Sequence, residues 1–209
     1  MKLQSLVDDH SSRYREDQKF DLEQLMRAGN DVIRYIRSIP ELQDVQFVYN
    51  EYPLFEVIDR EDDVQMKFKG YIDLVLSGKD KRGKTILWIC DFKTCSWGWD
   101  RETREDRWKQ FQLFLYKYFF CKKFDLDPRQ VRTAFILLKK RPPKGGSVEF
   151  FPVSAGPVSV QRALDTLGSN ITEMIEREKS GTLLKDRTQC KNKFGEVCPF
   201  FNTLNCPGE

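Results

Sequence analysis

The chain is poor in several things that would each announce a class of protein. It has one histidine, His10, and that residue lies in a polar opening stretch from Met1 to Glu16, where an ordinary surface histidine is expected. It has no apolar run approaching the roughly eighteen residues of a membrane-spanning helix, and no apolar leader near Met1. A membrane partner is therefore not expected, and the expected location is the cytoplasm. Charge of one sign is scarce too: 35 Lys and Arg against 32 Asp and Glu leave a net +3, so no global basic field points to nucleic acid. Six cysteines in a reducing compartment argue against a disulfide framework and favour metal ligands or buried thiols. There are no internal repeats and no low-complexity tract. At 209 residues the chain can bury one sizeable core.

What is present is concentrated between Gly70 and Lys93. Gly70-Tyr71-Ile72-Asp73-Leu74-Val75-Leu76 and Ile86-Leu87-Trp88-Ile89-Cys90-Asp91-Phe92-Lys93 are short apolar runs rich in β-branched and aromatic residues. A charged loop from Gly78 to Lys84 separates them, the pattern of two strands joined by a hairpin-like connection. Side chains alternate along a strand, so Asp91 and Lys93 share a face while Cys90 and Phe92 point the other way. Their Cα atoms lie about 6.5–7 Å apart and a paired strand about 4.8 Å across, which lets Asp73 converge on Asp91 and Lys93. Two carboxylates and an ammonium at the rim of a sheet suit a hard divalent cation and a positioned water. An Asp-x-Lys at a strand end is by itself weak, since a solvated strand terminus looks the same; the context sharpens it. Downstream, a helix expected over roughly Arg104 to Lys123 places Gln112 and Tyr116 four residues apart on one face. Phe111, Leu113, Phe114, Leu115, Tyr118, Phe119 and Phe120 nearly surround it, so a polar pair there needs partners.

Glu51, Gly70, Asp73, Asp91, Lys93, Gln112 and Tyr116 together resemble the motifs of the PD-(D/E)XK nuclease superfamily, within it the RecB-like and CRISPR-associated exonuclease branch. The likeness is strongest from Glu51 to Tyr116. It implies an α/β, restriction-endonuclease-like core, a central mixed sheet flanked by helices, and a metal-dependent phosphodiesterase acting on DNA. It also implies roles: Asp73, Asp91 and the Phe92 carbonyl as ligands of one or two Mg or Mn ions, and Lys93 as the group that positions and helps activate water. Gln112 and Tyr116 then orient Lys93 or the scissile phosphate, and Glu51 borders the site. Related nucleases often carry a metal-binding histidine on an early helix. Here the helix expected over Phe20 to Ile39 offers only Asn30 and Asp31.

The remaining chain reads as strands from Val45 to Val57, Val64 to Ser77, Val131 to Lys139 and Ser147 to Val153, and a helix from Val158 to Glu178. Basic residues cluster at Lys79–Lys84 and Lys139–Lys144; either could meet a phosphate backbone, and either could be a plain solvated loop. Trp97 and Trp99, just past Lys93, could stack on unpaired bases or cover the core. The tail spaces Cys190, Cys198 and Cys206 with seven residues between successive members. These three resemble the C-terminal iron–sulfur ligands of the RecB-like and CRISPR-associated nucleases. No cysteine precedes Cys90, so the family's usual fourth ligand is missing. Zinc with His10, Cys95 or Cys121 as fourth ligand, or a metal-free tail of buried thiols, are the alternatives. The expected division is a nuclease domain over 1–185 and a cysteine-bearing tail over 186–209. The expected substrate is single-stranded DNA or duplex ends, with a protein partner in a recombination or repair complex. A non-catalytic DNA-binding scaffold and a structure-selective endonuclease are the rival readings.

Overall fold

The computed structural model describes residues 22–58, 66–140, 146–181, 190–191, 197–203 and 206. The chain divides into two compact units, Met1–Ala163 and Leu164–Glu209. The first holds a five-stranded sheet in the order β1-β2-β3-β4-β5. Its strands are β1 (Gln46–Ile58), β2 (Met66–Lys79), β3 (Thr85–Cys95), β4 (Val131–Lys139) and β5 (Val148–Val153). The helices are α1 (Leu22–Arg37), α2 (Arg101–Glu105), α3 (Arg107–Phe124) and α4 (Pro157–Ser180), the last running from the first unit into the second. β3 and β4 are parallel and every other pair is antiparallel, so the sheet is mixed. A parallel pair cannot be closed by a tight turn, and α2 and α3 supply the crossover. No helix among the described residues is long and apolar enough to cross a membrane.

The elements follow from local chemistry. β4 is buried almost continuously from Val131 to Leu137, as an interior strand covered on both faces must be. Between β2 and β3 the strands advance further into the charged loop than its composition implies. Asp80 accepts hydrogen bonds from the Arg82 and Lys84 amides at 2.9 and 2.8 Å, and Gly83 takes a φ of +74° that closes the turn. The helix expected from Arg104 is two helices. Asp100 caps α2 through the Thr103 amide, and Asp106 caps α3 through the Trp108 amide at 3.0 Å.

The sheet's two faces are covered differently. Leu74, Leu76, Trp88, Cys90, Ala134 and Ile136 form one apolar cluster with Ile36 of α1 and Leu42. An apolar cavity of about 400 Å³ remains on that side, lined by Val32, Ile33, Ile36, Phe47, Leu74 and Phe92 among others. α3 covers the opposite face with Leu113, Phe114, Tyr116, Phe119 and Phe120 buried.

Two irregularities shape one end of the sheet. The β2–β3 ladder runs from Lys79↔Thr85 to Leu74↔Cys90 and stops there. β1 continues to pair with β2 as far as Ile58↔Met66, and β4 with β3 as far as Cys95↔Lys139. The sheet therefore forks just beyond Leu74 and Cys90. Level with the fork, Glu51 adopts a φ of +48°, a left-handed conformation rare for a residue with a side chain. Tyr49 and Tyr52 would face opposite sides of a regular strand, yet both reach Phe120 and Phe124 of α3 and lie 4.6 Å apart. The left-handed residue between them has switched the strand's facing.

Candidate active site

The fork gathers the motif residues. Asp73 is the first residue of β2 past the last rung, so no β3 partner opposes it in the ladder. Its Oδ2 instead accepts a hydrogen bond from the Phe92 amide at 2.7 Å, tying the diverging strand back to β3. Asp91 is only 2% exposed and, with Thr133, is one of two buried polar or charged residues in the described core. Lys93 Nζ lies 2.8 Å from Asp91 Oδ2 and donates to Gln112 Oε1 at 3.0 Å. Gln112 Nε2 in turn donates to the Tyr116 hydroxyl at 3.1 Å. The four-residue spacing of Gln112 and Tyr116 thus makes one chain, Asp91–Lys93–Gln112–Tyr116, bridging sheet and helix.

Gly70 makes the last link fit. A Cβ at this position would stand 2.6 Å from Tyr116 Cε1, so any side chain would displace a ring that is 6% exposed. Phe68 holds that ring from its edge, with centroids 6.1 Å apart.

The electrostatics centre on Asp91. Lys93 Nζ, 2.8 Å away, is the cation that compensates the buried Asp91 Oδ2. Burial pushes the Asp91 carboxyl above its ordinary range; Lys93 opposes that shift and Asp73 adds to it. One ammonium offsets this buried carboxylate while Asp73 stands beside it, and two neighbouring carboxylates suit a hard divalent cation. Asp73, Asp91 and the Phe92 carbonyl therefore fit such an ion in donor type. Among the described residues, no three His, Cys, Asp or Glu side chains are grouped to hold a metal, so Glu51 does not complete a third carboxylate ligand. The pairing on either side, Asn50↔Leu74 and Tyr52↔Ile72, sets Glu51 level with Asp73, and it is exposed.

Other expected residues fall elsewhere. On α1, Asp31 pairs with Arg34 at 3.0 Å and Asn30 is exposed. Trp99 packs on Phe135 and Phe151, at centroid distances of 4.9 and 6.2 Å, and so covers the core, while Trp97 is 62% exposed. Lys139 is held by Glu149 at 2.8 Å and cannot serve as a free phosphate contact; Lys79 donates to Thr85 Oγ1 in the hairpin loop. Residues 141–145 and His10 lie outside the described residues. In the second unit Cys198 donates its amide to the Cys190 carbonyl at 2.8 Å, and Cys206 to that of Thr203 at 3.0 Å. All three cysteines are free and half-buried. Cys121 is buried in the core, and burial pushes its thiol up to about 11, the opposite of what a ligating thiolate needs.

A mixed sheet with helices on both faces, forked at an Asp and an Asp-x-Lys braced by Gln-x-x-x-Tyr, defines a nuclease of the restriction-endonuclease-like class. The sequence pattern of the PD-(D/E)XK nuclease superfamily matches residues 3–202, and the chain belongs to that superfamily. Its fold is similar to that of a "putative exonuclease" from Eubacterium rectale, with a TM-score of 0.53 and 12% identity over 94% of this chain and 69% of the other. No curated protein matches the sequence.

Proposed function

We propose that this nuclease is a Mg- or Mn-dependent deoxyribonuclease that removes nucleotides from DNA ends. The buried Asp91 carboxylate, paired with Lys93 and beside Asp73 at the fork, carries the reading. Asp73, Asp91 and the Phe92 carbonyl would hold the ion. When bound, it would polarise the scissile phosphate and lower the pKa of a coordinated water. Lys93 has the protein's part in the chemistry. Its ammonium, steered by Gln112, points charge at the place where a phosphate approaches Asp91 and offsets negative charge that grows in the transition state. Tyr116 fixes the Gln112 amide so that its carbonyl, rather than its NH₂, faces Lys93. Glu51, level with Asp73, borders the site.

The test is digestion of end-labelled linear DNA, single-stranded and duplex, beside closed circular DNA, with magnesium, manganese or chelator. Metal-dependent loss of linear but not circular substrate supports the reading. Cleavage of circles makes the protein an endonuclease, and binding without cleavage makes it a scaffold.

The RecB-like and CRISPR-associated branch is part of the same proposal, resting on Cys190, Cys198 and Cys206 in a tail over 186–209 beyond a nuclease domain over 1–185. An iron–sulfur cluster or zinc held there is tested by metal and acid-labile sulfide content after anaerobic purification. A soluble cytoplasmic setting and a recombination or repair partner belong to this reading as well.

A further inference from the structure

Trp108 is 69% exposed, the most open of the large apolar side chains among the described residues, and nothing in the proposed chemistry uses it. It stands in the first turn of α3, four residues before Gln112 and eight before Tyr116. At 1.5 Å of rise per residue these three side chains succeed one another about 6 Å apart on one helix face. Gln112 touches Lys93, so the row starting from Tyr116 passes the site and ends on the indole. The turn that carries it is well braced. The Trp108 amide is capped by Asp106 at 3.0 Å, Lys109 pairs with Asp106, and the Phe111 ring stands edge-on to the indole at 5.4 Å. Arg107 and Lys109 flank it on the exposed surface.

We propose that Trp108 is a substrate-positioning residue on which an unpaired base stacks as its strand enters the site. This rests on the DNA-nuclease reading and adds a preference for single-stranded or frayed ends, because an indole face is open only to a base that has left its own stack. Such stacking is worth about 1–3 kcal/mol per base, or roughly 5- to 150-fold in affinity.

The test is equilibrium binding of a fluorescently labelled oligothymidylate and of a hairpin duplex with a minimal loop and a blunt end clamped by G·C pairs, in chelator so that nothing is cut. Trp108→Ala is expected to weaken oligothymidylate binding by at least fivefold and hairpin binding by less than twofold. Trp108→Phe is expected to restore most of the loss, and KM on single strands to rise more than kcat falls. Unchanged thermal midpoints in both variants show that the fold is intact. Wild-type-like binding of oligothymidylate by Trp108→Ala overturns the assignment, as does an equal loss on both probes. Failure of the wild-type protein to bind either probe instead removes the DNA-nuclease reading on which the assignment stands.

Discussion

On the α1 face of the sheet, Leu74, Leu76, Trp88, Cys90, Ala134 and Ile136 meet Ile36 and Leu42 without a buried charge, although the Trp88 indole Nε1 is left without a hydrogen-bond partner. On the α3 face the same strands present Asp91, Lys93 and Thr133, and the helix answers with Gln112 and Tyr116 among its phenylalanines. Both buried polar or charged residues of the described core, Asp91 and Thr133, lie on this second face. Thr133 is satisfied, its hydroxyl donating to the Val153 carbonyl at 2.7 Å. Asp91 is compensated by its 2.8 Å ion pair with Lys93. The first face buries no charge; the second buries one, at the site.

Substitutions should separate the two faces. Asp91→Asn and Lys93→Ala are expected to cut DNA degradation by roughly a thousandfold or more, the loss typical of removing one preorganised electrostatic group, while circular dichroism stays native. The metal-free Asp91→Asn protein should lose little stability, because the desolvation cost of the buried carboxylate disappears together with its Lys93 ion pair. The pH dependence has a definite sign. Asp91 binds its proton more tightly folded than unfolded, so its contribution is full below the ordinary carboxylate range and is lost as pH rises through the raised folded value. Thermal midpoints measured in chelator should fall over that window for wild type and stay flatter for Asp91→Asn.

On the apolar face the outcomes reverse. Ile136→Ala should cost about 2–5 kcal/mol in denaturant unfolding, yet leave the activity of the molecules that remain folded near wild type. Gly70→Ala lies on the seam between the two behaviours. Its methyl would push Tyr116 away, costing about 1–3 kcal/mol and lowering kcat through the loosened Gln112–Lys93 link. The smallest effect belongs to Glu51→Gly, which should raise stability by about 1 kcal/mol by relieving the left-handed backbone. A simultaneous fall in activity would show that the Glu51 carboxylate itself contributes.

The sheet and the motif face were legible because period-two and period-four rules act within one element. Asp91 and Lys93 share a face by alternation alone, and the Gln112–Tyr116 hydrogen bond follows from helical spacing. The strand from Val131 to Lys139 is readable because the unbroken apolar run from Ala134 to Leu138 marks a strand covered on both faces. What escaped depended on three-dimensional context. Nothing in Asn-Glu-Tyr-Pro marks Glu51 as left-handed; the conformation accompanies the contacts that Tyr49 and Tyr52 both make with α3. The break between α2 and α3 had a signal in Asp106, a capping residue inside an otherwise helical stretch. Trp97 and Trp99 look alike in sequence, and only the reach of Phe135 and Phe151 separates the half-buried ring from the bare one.

The point at which β2 and β3 part company has a bearing on how such a sheet can vary. Their final rung, Leu74↔Cys90, acts as the stop of a zipper, and everything beyond it is a slit between two otherwise well-paired ribbons. Unzipping one more pair would deepen that slit, and zipping one more would bury Asp73 against Asp91. The separation of β2 and β3 beside Asp73 and Asp91 is thus set by where backbone pairing ends as well as by the side chains themselves.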